Sequence, residues 1–120
     1  MTNVMKFETL VGKELYGSII EARIDTGMYE EIVIPSKDIL SWNTILADKL
    51  ATPLISPDAS IHDDHQNSLE IDAALHLAEP FGGIGDGQTL YHGTYESTVI
   101  LIMIWPWQDN INITLKKAIL

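Results

Sequence analysis

Residues 98–105, TVILIMIW, are almost continuously apolar, and this segment limits the fold more than any other feature of the chain. A short run with no polar side reads as a central strand buried on both faces. Pro106 cannot donate to a sheet ladder, so it closes that strand and leaves Trp105-Pro106-Trp107 at a strand end or edge. The whole apolar run, Val99 to Trp107, is nine residues interrupted by Pro106, whereas a membrane span needs about 20.

The rest of the chain supplies partners for such a strand. Ile20-Glu21-Ala22-Arg23-Ile24-Asp25 alternates apolar with charged residues, the pattern of a half-buried strand. Thr26-Gly27 turns the chain, and Tyr29 to Ile34, rich in β-branched residues, completes a hairpin. Ile111, Ile113 and Leu115 alternate as a last strand, and Thr89 to Tyr95 reads as a short strand broken at Gly93. The N-terminal segment, with Met5, Phe7 and Thr9 alternating against Lys6 and Glu8, fits a strand or a helix.

One helix is clear. After Pro35, Ser36 is placed as an N-cap and Asp38 favours the first turn. Ile39, Trp42, Leu46 and Leu50 then recur at helical spacing until Thr52-Pro53. Residues 53–68 lack periodicity and read as a long loop. Leu69, Ile71, Ala73, Leu75 and Leu77 alternate with more polar residues, which predicts a further strand, with a short helix capped by Ser68 as the alternative. Pro80 to Gly87 is a loop with an Asp86-Gly87 hairpin signal. The expectation is one α+β domain over residues 1–120. It holds an antiparallel or mixed sheet of about five to seven strands, with one main helix, residues 36–51, packed on one face.

Charge is where this composition departs from that of an average globular domain. The chain carries 17 acidic and seven basic residues, a formal charge of −10, and no cysteine. The lack of cysteine removes disulfides, thiolate metal sites and thiol nucleophiles, and fits a reducing compartment. Residues 51–115 hold Asp58, Asp63, Asp64, Glu70, Asp72, Glu79, Asp86, Glu96 and Asp109, without a Lys or Arg; Lys116 and Lys117 follow. Such a stretch cannot neutralise itself by local ion pairs, so its carboxylates face water, a metal ion or a basic partner. All four histidines, His62, His65, His76 and His92, lie in it too, and protonating them leaves the charge at −6. Nucleic acid and anionic membranes are poor ligands for this surface, because both demand clustered cations. With no secretory pattern in MTNVMKFETL, the expected location is the cytoplasm.

Few motifs suggest chemistry. His62-Asp63-Asp64-His65 is the densest polar cluster and offers a candidate metal set of His62, Asp64 and His65. Adjacent loop residues seldom converge on one ion, however, and no second ligand motif accompanies them. His76 with Glu79, and His92 with Glu96, could each pair an imidazole with a carboxylate for acid–base work. The glycines at 82, 83, 85 and 87 do not form a phosphate loop, and GxSxG, HExxH and EF-hand patterns are missing. No cofactor is expected, and the chain reads as a non-enzyme.

In size, acidity, lack of cysteine and lack of a catalytic motif, the chain resembles small bacterial immunity proteins that block nuclease toxins, and it is similar to some phage-encoded inhibitors. The resemblance implies a protein-binding module whose carboxylates occupy the basic groove of a toxin and steer fast association, while aromatic anchors set the lifetime of the complex. Asp63, Asp64, Glu70, Asp72 and Glu79 lead the candidate contacts, with Trp107 as anchor. The alternatives are a small metal-dependent or acid–base enzyme using the His62–His65 cluster, and a structural subunit that pairs strand edges with its own copy.

Overall fold

The computed structural model describes residues 5–56, 65–85 and 87–120. Two short helices, α1 (Phe7–Val11) and α2 (Lys13–Tyr16), lead into the hairpin β1 (Glu21–Asp25) and β2 (Tyr29–Pro35). A 3-10 turn (Ser36–Asp38) then opens α3 (Ile39–Leu50), and α4 (His65–Ala78) continues into a second 3-10 turn, Glu79–Phe81. Strands β3 (Thr89–Tyr95), β4 (Thr98–Pro106) and β5 (Asn112–Ile119) complete the chain.

All neighbouring strands are antiparallel, in the order β1-β2-β5-β4-β3. The expected α+β class and strand number hold. Strand β4 is interior, and its residues 100–104 are buried without regard to parity, which is what the unbroken apolar run demands. On one face Ile32, Ile34, Ile100, Ile102, Ile104, Ile113 and Leu115 pack with Trp42, Leu46 and Leu50 of α3 and with Phe7, Leu10 and Val11 of α1. On the other face Leu90, Leu101, Met103 and Ala118 pack with Ala74 and Ala78 of α4. The expectation of one main helix on one face is therefore corrected: the sheet carries helices on both.

Several local expectations change with it. Residues 69–77 are helical, not a strand. The alternation there is real, but only Ile71 is β-branched, and Leu, Glu and Ala favour helix. Helical spacing then brings Ala74 and Ala78 onto the sheet, with Ile71 and Leu75 half-buried beside them. Phe7 and its neighbours are helical as well. Ser36 does not cap a helix; its hydroxyl donates to the Asn110 carbonyl at 2.9 Å, tying the start of α3 to the β4–β5 turn. Strand β3 runs unbroken through Gly93, where a Cβ would collide with the Leu50 carbonyl at the end of α3. Glycine is there for close approach, not for a break. Gly87 follows a helix and its 3-10 turn, so it is not the centre of a strand hairpin, and Asp86 lies outside the described residues.

Strands β2 and β5 set two glutamates opposite two lysines, of which Glu30 and Lys117 form an ion pair. Register places Glu30 opposite Lys117 and Glu31 opposite Lys116. Because side chains alternate, the first pair enters the α1–α3 core and the second faces the α4 side. Lys117 and Glu30 are about 1% and 2% exposed, with Nζ and Oε1 at 3.7 Å. Glu30 also accepts from the Phe7 backbone N–H at 2.9 Å and from the Tyr16 hydroxyl at 3.2 Å, and the lysine amine lies 5.6 Å from the Phe7 ring centroid. Removing one member of a buried pair leaves the other charge uncompensated. Lys117→Met should therefore lower the unfolding free energy by about 3–5 kcal/mol, and adding Glu30→Gln should restore much of the loss. Chemical denaturation of the two variants checks this; a small effect from Lys117→Met would show that the pair is open to water.

Candidate protein-binding face

The α4 side of the sheet is covered unevenly. Helix α4 lies over the β3–β4 side, and the 3-10 turn after it reaches toward β2, where the Phe81 ring stacks on Tyr29 with centroids 5.2 Å apart. Gly82 permits this return: its φ is +112°, and a Cβ would run into the Trp105 ring. Lys116 locks the same corner, donating to the Phe81 carbonyl at 2.9 Å with its Nζ 3.3 Å from the centroid of Trp105. The Trp105 indole nitrogen is buried without a hydrogen-bond partner among the described residues.

Beyond this corner, the β1–β2 side carries partly exposed aromatic and charged groups. Trp107, 36% exposed, folds back over the sheet and donates its indole N–H to Thr114 Oγ1 at 2.7 Å. The Arg23 guanidinium lies 5.6 Å from the Trp107 centroid, 3.4 Å from Glu21 and 3.9 Å from Glu31. Glu31 in turn accepts from the Tyr29 hydroxyl at 2.8 Å. Trp107 is thus held in place by Thr114 and Arg23.

The predicted contact residues divide. Asp63 and Asp64, with His62 of the candidate metal set, lie outside the described residues. His65 opens α4 and Glu70 lies within it, but their side chains are outside the described set. Asp72 and His76 stand four apart on the outward side of α4, and Glu79 is 3.8 Å from the His76 Nδ1. The described carboxylates of residues 51–115 do not form one cluster. Glu96 sits in the β3–β4 turn and Asp109 beyond the opposite end of β4. Asp109 is also committed to its turn: the backbone N–H groups of Ile111 and Asn112 donate to it, which holds its carboxyl below the ordinary range. His92 lies on β3, and no hydrogen bond or ion pair joins it to Glu96 among the described residues. Nor do the described residues contain three His, Asp or Glu side chains grouped to hold a metal ion.

No protein-family model matches the chain, and no curated protein or solved structure matches it.

What sequence reasoning missed was Arg23, Glu31, Lys116, Tyr29 and Phe81. The strand alternation does place Arg23 and Glu31 on polar faces, but only the sheet order brings β1 beside Trp107 through β2 and β5. Burial is the main cause of a depressed Lys116 amine, opposed by the Glu31 charge. Burial also raises the Tyr29 hydroxyl well above the usual 10, helped by its bond to Glu31 and by that carboxylate's charge. Tyr16 is raised as well, by burial and Glu30, and burial pushes Tyr91 up to about 12. These are three of the four tyrosines.

A phenol whose pKa rises on folding lends stability that is whole below pH 10. That stability is lost as the pH climbs through the folded value, because the unfolded chain releases its proton first. Tyrosinate absorbance of the folded protein should therefore lag that of free tyrosine, and Glu31→Gln should move part of it back toward pH 10. Titration of all four tyrosines together near pH 10 would contradict the burial of Tyr29.

Proposed function

We propose that this chain is a non-catalytic, cytoplasmic binding module for a basic protein, and in its most specific form an immunity protein that occupies the substrate groove of a nuclease-type toxin. The observation that carries the reading is the withdrawal of Lys116 and Lys117. They are the two cations that follow the acidic stretch 51–115. Lys117 is buried against Glu30, and Lys116 is spent on the Phe81 carbonyl and the Trp105 ring. Toward a partner, the described charged side chains of residues 71–120 are then carboxylates: Asp72, Glu79, Glu96 and Asp109.

A field of one sign steers an oppositely charged protein and raises the association rate, in a manner that salt screens. Trp107 supplies an anchor of the kind that lengthens a complex's lifetime. The polarity of the surface disfavours nucleic acid and anionic membranes as direct ligands. No helix among the described residues is long and apolar enough to cross a membrane.

Affinity purification from the native host, followed by mass spectrometry, is expected to recover a basic protein. Its association rate should fall steeply between low and physiological salt. The double change Asp72→Lys and Glu79→Lys should slow association by about tenfold, whereas Trp107→Ala should mainly speed dissociation. Recovery of no basic partner, together with stoichiometric metal in the purified protein, would overturn the reading in favour of a metal-dependent domain.

A further inference from the structure

We draw no further inference here: the strongest candidate, the exposed outer edge of β1 with Ile20, Ile24 and Met28 beside it, carries charges that already pair within the chain (Lys6 with Asp25, Arg23 with Glu21 and Glu31), and nothing among the described residues shows what covers it.

Discussion

The pairing of β2 with β5, which buries the Glu30–Lys117 ion pair, is the constraint on which the rest of the structure depends. It joins a strand from the first third of the chain to the last strand, and so sets the order of the sheet. The buried pair also fastens the N-terminal helices, because Glu30 accepts from the backbone of Phe7 and from the Tyr16 hydroxyl. Buried ion pairs are poor sources of net stability, since desolvation offsets the attraction. What this one supplies is registry. A slip of one residue would send Lys117 to the α4 side and leave Glu30 alone in an apolar core.

The same pairing shapes the outer surface. Two of the chain's seven cations are turned inward or sideways just where they would have offset the acidic stretch. Lys116 does a second thing on the α4 side, where it holds the Phe81 carbonyl and sits on Trp105. That corner ends the cover provided by α4 and leaves Tyr29, Glu31, Arg23 and Trp107 at the margin of an open sheet edge. Core registry and surface character thus come from one pair of adjacent lysines.

Much of the fold was legible because periodicity and burial agreed. The strand β2, the apolar face of α3 and the doubly buried β4 are each written in residues that have one place, whereas β1, expected to be half-buried, forms as a strand but is exposed along all five residues. Residues 69–77 were not, since an alternating run of Leu, Ile and Ala also satisfies a helix once Ala74 and Ala78 face the sheet. Gly93 looked like a break because close approach by Leu50 comes from a distant element. The burial of Lys117 was not legible, because it depends on Glu30, 87 residues away in sequence, a separation no local pattern encodes. For the candidate site, the sequence singles out Trp107, Asp72 and Glu79, but that Arg23 of β1 reaches Trp107 follows only from the sheet order.

Lys117 is buried with Glu30 and so lost to the surface. Burial depresses the Lys117 amine, and the Glu30 carboxylate opposes that shift. An NMR titration of the lysine Nζ groups tests this most directly. Lys117 should release its proton below the ordinary lysine value of 10.5, and lower still in Glu30→Gln, where the opposing charge is gone. A Lys117 amine that titrates at or above 10.5, or one that Glu30→Gln leaves unmoved, would contradict it.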